Sequence, residues 1–327
     1  DLRDAIEAGV VPGPRMATGG NVLITSVGGT AGRLLPNNGK LGYAVIVQTA
    51  EEIVREIRSQ VKAGCDWIKV HVSGLPVRRT PMHNAGEIQA WTLDELRLVC
   101  DTAHALGVPV VGHCRNASST RDAALAGFDM ILHASYMDEE ALEAVIDKRV
   151  SLVPTFTFLA NLIDFGDKVG SDPALQNIFR SEIAQSSVMI RRAYEAGVPL
   201  MCGSESGFSL TPYGDWHYRE MELFVDHLGL TPLEAIMCAT EAGAGIFGLQ
   251  SELGRIEENY IADLVLVEGD LEADINLLGQ KDNIRAVFKA GQLVNTDQPL
   301  PEDWNIPGWR TGQYSSDILT YDLAHKK

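Results

Sequence analysis

Two histidines end two short apolar runs in the stretch VPVVGHCRNASSTRDAALAGFDMILHA, residues 108–134. The runs 108–111 and 130–132 read as strands, because strands buried on both faces of a parallel sheet are continuous apolar stretches, and the segment between them reads as the crossover helix. His113 and His133 then stand at the carboxyl ends of successive strands, the face where α/β proteins place their chemistry. One histidine at such a place is more often structural than functional. Two, at equivalent positions of successive units, favour a metal pair, since neutral imidazole is a common metal ligand and neighbouring strand ends converge.

Other chemically capable side chains follow the same logic. The run VPLMCG, residues 198–203, ends in Ser204-Glu205-Ser206-Gly207, which sets a carboxylate at a further strand end. Lys69 lies in the middle of DWIKVHVSG, residues 66–74. A lysine inside an apolar strand is costly unless its charge is paired, neutralised or used, so a solvated crevice or a buried carboxylate explains it as well as chemistry does. The loop 75–91 carries Arg78, Arg79, His83 and Glu87. Such a loop can supply substrate contacts, though a solvated charged loop accounts for most of these side chains. His104 and His217 fall at helices; the first reads as structural and the second at most as support for the site.

These residues need a scaffold of alternating strands and helices. Six core strands are visible, near Asn21, Lys69, Val110, Ile131, Val153 and Leu200. Helices are expected over 1–8, over 49–63 with Thr49 as N-cap and Gly64 beyond its end, from Thr92 with Glu95 completing a capping box, over 138–148, over 173–197, and from Thr231-Pro232. Residues 161–172 read as a loop or lid. The glycine-rich loop 26–32 lacks the patterns of a nucleotide site, so a plain turn is its larger reading. From Gly254 the texture changes to alternating strands with a hairpin turn at Gly291. The expected organisation is a barrel over 1–253, part of a small β-sandwich over 254–297, and a surface tail over 298–327. A (β/α)₈ TIM barrel has eight strands, so two are missing from this count and are expected before Asp1.

At 327 residues the chain suffices for one large α/β domain and an appendage. A net charge of −17 argues against nucleic acid or an anionic membrane as partner. The five cysteines, Cys65, Cys100, Cys114, Cys202 and Cys238, are dispersed, odd in number and never spaced as CxxC, which argues against a disulfide framework or cysteine zinc cluster and makes a reducing, cytoplasmic setting the expectation.

The series IKVHVSG, VVGHC, DMILHA, VSLVPTFTF, MCGSESG, LTPLEAIMCAT and ADLVLVEGD resembles, in this order and up to about Val294, the amidohydrolase superfamily and its branch of imidazolonepropionases and Xaa-Pro dipeptidases, with phenylurea and molinate hydrolases nearby. The resemblance implies a metal-dependent hydrolase on a (β/α)₈ barrel, with a β-sandwich made from both chain ends. It implies that Lys69 is the strand lysine often carbamylated to bridge two metals, and that His113 and His133 are metal ligands. It implies that Glu205, where relatives usually carry aspartate, binds metal and takes a proton from the attacking water. One or two ions of zinc, cobalt or manganese are expected. Arg115, Phe156, Phe208 and His217 are the candidate substrate contacts, and Leu75, Phe158 and Leu159 add apolar character.

Departures from the pattern are as informative. The strand-1 HxH ligands are absent, so an upstream segment or second polypeptide is expected to supply them. Glu205 lengthens the usual carboxylate by one methylene. The glycine-rich loop lacks the relatives' histidine near Gly28-Gly29-Thr30, and Arg115 replaces the tyrosine that usually follows the strand-5 histidine. The expected function is hydrolysis of an amide, carbamate, thiocarbamate or urea bond in a small apolar or aromatic molecule. The alternatives are an Xaa-Pro or acyl-amino-acid dipeptidase and a non-catalytic binding barrel. A homo-oligomer with a small-molecule substrate, no nucleic acid and no membrane completes the expectation.

Overall fold

The computed structural model describes residues 2–27, 43–74, 86–296 and 315–326. Leu75, Arg78, Arg79, His83, the glycine-rich loop from Gly28 onward and residues 297–314 of the tail lie outside the described residues. The chain divides into two compact units, one of residues 1–154 and 188–200, the other of 155–187 and 201–327.

The first unit alternates strand and helix. In order it contains α1 (Leu2–Glu7), β1 (Val22–Ile24), β2 (Ala44–Ile46), α2 (Ala50–Lys62), β3 (Ile68–His71), β4 (Ser73–Gly74), β5 (Ile88–Gln89), α3 (Leu93–His104), β6 (Val110–Cys114), α4 (Ala117–Ala126), β7 (Met130–His133), α5 (Glu139–Lys148) and β8 (Ser151–Val153). Six strands form one parallel sheet in the order β2-β1-β3-β6-β7-β8. Leu23, Ile68, Val70, Val110, Ile131 and Leu152 are fully enclosed, as expected where helices cover the strands.

The helix starts follow their caps. Thr49 and Asn116 accept hydrogen bonds from the first turns of α2 and α4, Asp138 does so for α5, and Thr92 and Glu95 form a reciprocal capping box at α3. At Gly112 in β6 an added Cβ would come within 2.9 Å of the Phe128 ring, so the missing side chain lets the α4–β7 connection close over the strand.

Two expectations about strands change. Ala44–Ile46, unmarked by the sequence reading, is a full strand at one end of the sheet, packed with Ile24 and Tyr43. The run near Leu200 contributes a single parallel bridge from Leu152 to Leu200. Among the described residues the sheet is open: β2 and β8 do not pair.

The second unit holds α6 (Phe156–Phe165), most of α7 (Pro173–Glu195), α8 (Arg219–Leu228), α9 (Pro232–Ala239), β9 (Leu264–Val267), β10 (Ile284–Lys289), β11 (Gln292–Leu293) and α10 (Tyr321–His325). The segment expected as a lid from residue 161 instead continues α6 to Phe165 and then makes a 3₁₀ turn over Gly166–Val169. Leu159, Leu162 and Phe158 point into the interior, and an apolar helical stripe explains why the loop reading failed. Strands β9, β10 and β11 form an antiparallel sheet whose hairpin turns at Ala290 and Gly291, both with positive φ, as a two-residue turn of this kind requires. α9 starts at Thr231 with the expected capping box and Pro232 in its first turn. Among the described residues no helix is long and apolar enough to cross a membrane.

Candidate active site

The parallel register sets the site in the first unit. His71 at the end of β3 pairs in register with His113 of β6, and Cys114 pairs with His133 of β7. The three imidazoles therefore gather at the carboxyl edge of three adjacent strands. His71 stacks on His113 with ring centres 4.4 Å apart and planes 17° from parallel, while His133 meets His113 edge-on at 4.4 Å. His133 Nε2 lies 2.9 Å from His113 Nδ1. All three rings are buried.

Glu87, read from the sequence as part of a charged loop, is also buried here, and its Oε2 lies 2.8 Å from His113 Nε2. The same oxygen accepts the Ser73 hydroxyl proton at 2.8 Å, and Ser73 Oγ accepts from the Arg115 backbone N–H at 2.9 Å. The Glu87 backbone is fastened as well. Its N–H donates to the Arg115 carbonyl, and its own carbonyl accepts from Asn116 Nδ2. Gly86 permits this approach: it has φ +78°, and a Cβ there would fall 1.9 Å from the Arg115 carbonyl oxygen.

Burial sets the charges. Burial pushes His71 and His133 well below the ordinary imidazole value, helped by nearby positive charge that includes Lys69. Burial also lowers His113, although Glu87 beside it works in the opposite direction. Burial by itself would raise the Glu87 carboxyl, but His113 and the hydrogen bonds from His113 and Ser73 outweigh it and hold the group low. The result near neutral pH is an ionised carboxylate facing neutral imidazoles, which is the protonation state that metal ligation requires. Lys69, half-buried in β3, is close enough for its charge to act on all three rings.

The donors fit a share of a metal centre. Two nitrogens bound to one tetrahedral zinc stand about 3.3 Å apart, given bonds of about 2.0–2.1 Å. The facing nitrogens of His113 and His133 at 2.9 Å are near that spacing. Among the described residues His71 Nδ1 and Glu87 Oε1 are buried without a hydrogen-bond partner, so the pocket retains unused polar bonding capacity. Among the described residues no three or more His, Cys, Asp or Glu side chains are grouped so that they could hold a metal ion by themselves. Backbone strain coincides with the site, since the chain leaves β7 through His133 and Ala134 at φ +69° and +48°.

The remaining candidates belong to the second unit. Glu205 occupies a tight turn at φ +52°, its carbonyl accepting the Thr211 hydroxyl proton at 2.8 Å. Phe156 is fully enclosed and meets His227 edge-on, and Phe208 is half-buried against Phe158 at 5.3 Å. His217 lines a cavity of about 500 Å³ together with Ser204, Asp215, Tyr218 and Lys281. Its Nε2 accepts the Gly214 N–H at 3.3 Å, so a neutral His217 carries its proton on Nδ1 and donates to Ser204 Oγ at 2.9 Å. In that tautomer it cannot take a proton from Ser204.

Sequence reasoning reached His113, His133 and Lys69 but passed over His71 and Ser73 and gave Glu87 no particular role. A signal existed for the first two. Lys69, His71 and Ser73 alternate, and alternate residues of an extended segment share a face.

The model of the Amidohydrolase family matches residues 1–294. The chain belongs to that family. Ochratoxinase of Aspergillus niger is 28% identical over 313 residues, covering 90% of this chain and 62% of the relative, so the chain spans under two thirds of that protein's length. The crystal structure of a Xaa-Pro dipeptidase with bound methionine in the active site superposes with a TM-score of 0.74 at 31% identity, covering 90% of this chain and 71% of the other. A molinate hydrolase structure, at 19% identity, TM-score 0.65 and coverage of 93% and 73%, shares the fold. The TIM-barrel character expected from the sequence is thus the character of these neighbours, and the open six-stranded parallel sheet is the part of it formed by the described residues.

Proposed function

We propose that this protein hydrolyses a C–N bond in a small molecule, an amide, carbamate, thiocarbamate or urea, with a divalent metal held by His113, His133 and Lys69. The observation that carries the reading is the approach of His113 Nδ1 and His133 Nε2 to 2.9 Å at the ends of adjacent parallel strands. A bound divalent metal supplies Lewis acidity and lowers the pKa of a coordinated water toward about 7. The residues do the rest. His113 and His133 remain neutral because burial disfavours their cations. Lys69 contributes as a carbamate, and Arg115 engages a carbonyl or anionic group of the substrate. Zinc, cobalt or manganese is the metal in this reading.

The likeness to ochratoxinase and to a Xaa-Pro dipeptidase supports a C–N bond as target, and leaves dipeptides and acyl-amino acids as alternative substrates. The test is metal content together with turnover. Protein reconstituted with Zn²⁺, Co²⁺ or Mn²⁺ is expected to cleave members of a panel of anilides, phenylcarbamates, phenylureas, N-acyl amino acids and Xaa-Pro dipeptides. Asparagine at His113 or His133 should abolish both metal retention and turnover. A second reading, a binding protein without chemistry, is favoured by the closure of Glu87, His113 and His133 into one hydrogen-bonded chain. Purified protein that takes up no stoichiometric metal would favour that second reading.

A further inference from the structure

The partners around His113 assign its proton. Ser73 Oγ accepts from the Arg115 N–H and donates to Glu87 Oε2, so that oxygen serves as an acceptor, and His113 Nε2, 2.8 Å from it, carries the hydrogen. A neutral ring then has its lone pair on Nδ1, and that atom faces His133 Nε2. We propose that Glu87 is a positioning residue that holds His113 in the Nε2–H tautomer and turns its Nδ1 lone pair toward His133 and the metal the two would share.

Three features of the structure make this a built arrangement. Oε2 of Glu87 is fixed by a second donor, Ser73 Oγ, whose own orientation is set by the Arg115 N–H. The Glu87 main chain is tied at both its N–H and its carbonyl to the two residues that follow β6, so carboxylate and imidazole ride on one rigid corner. The His113 ring is kept in plane by the stacked His71. A carboxylate on the far nitrogen of a ligating histidine fixes tautomer and ring orientation and raises basicity, and its loss typically weakens metal binding about 10–100-fold. The inference rests on the proposed metal reading for the identity of the ligand, but the tautomer is a property of this chain alone.

The experiment is ¹⁵N–¹H correlation NMR of the full chain labelled at its histidines, with His113 assigned by its absence in His113→Asn. In the parent protein His113 is expected to show a protonated Nε2 and an unprotonated Nδ1. Glu87→Leu should shift the ring to a mixture of tautomers and weaken Zn²⁺ binding at least tenfold, while Glu87→Gln, which keeps an acceptor, should restore most of both. An Nδ1–H tautomer in the parent protein overturns the proposal whether or not Glu87→Leu folds. So does a folded Glu87→Leu variant with unchanged tautomer and Zn²⁺ affinity. A parent protein that shows the expected tautomer yet binds no Zn²⁺ sinks the hydrolytic reading and leaves the role of Glu87 standing.

Discussion

Glu220 offers the sharpest test of the second unit's electrostatics. α6 begins at Thr155, which has φ +56° and makes no side-chain cap of its own. The cap comes from α8: Glu220, fully enclosed, accepts the N–H groups of Phe156 at 2.9 Å and Thr157 at 2.8 Å, and the Thr157 hydroxyl proton at 2.5 Å. Those donors favour the carboxylate, yet burial outweighs them and pushes the group up from 4.5 to about 7. A carboxyl raised in the folded state binds its proton more tightly there than in the unfolded chain. Its stabilising share is therefore complete below about pH 4.5 and is lost as pH rises through about 7. That interval corresponds to at most about 3 kcal/mol, an upper bound because hydrogen bonding and relaxation reduce it. Glu220→Gln cannot titrate, but turns an amide NH₂ toward one backbone donor and loses about 1–3 kcal/mol of capping. Urea unfolding of both proteins at pH 5, 6, 7 and 8 should show the variant weaker at pH 5 and closing the gap, or overtaking, by pH 8. A gap that stays constant across this range would mean that the three donors win and that Glu220 is an ordinary ionised cap.

Other expectations can be checked in parallel. Gly86→Ala forces a Cβ into the Arg115 carbonyl at a positive φ, and should cost several kcal/mol or release Glu87 from His113, read by urea unfolding and the histidine NMR spectrum. Alanine at Lys69, His113 or His133 should each reduce turnover at least about 100-fold with the circular dichroism of the parent; full activity in a His113 variant would remove the metal assignment. Prolonged chelation should abolish activity and Zn²⁺ or Co²⁺ should restore it, and peptide mass at Lys69 should show one added CO₂ in the reconstituted protein. Thr92→Ala breaks the capping box of α3 and should lower stability by about 1 kcal/mol without changing turnover.

What the sequence by itself determined was local. Period located β6, α4 and β7, and cap residues located the starts of α2, α3 and α9, because a doubly buried strand must be apolar throughout and a helix start needs a side-chain acceptor, and both requirements are written in neighbouring residues. Histidines at the ends of two such strands were legible for the same reason. The strand Ala44–Ile46 was not, since three residues carry too little period, and the last part of α6 from residue 161 was read as loop; the helix's N-terminal cap comes from Glu220, 64 residues beyond Phe156. Only the tertiary structure decided the partners. The β3–β6 register stacks His71 on His113, and the contact of Glu87 with the corner after β6 converts a loop carboxylate into the group that orients an imidazole. Register and loop docking depend on which distant backbone groups find each other, and single residues in a list do not carry that information.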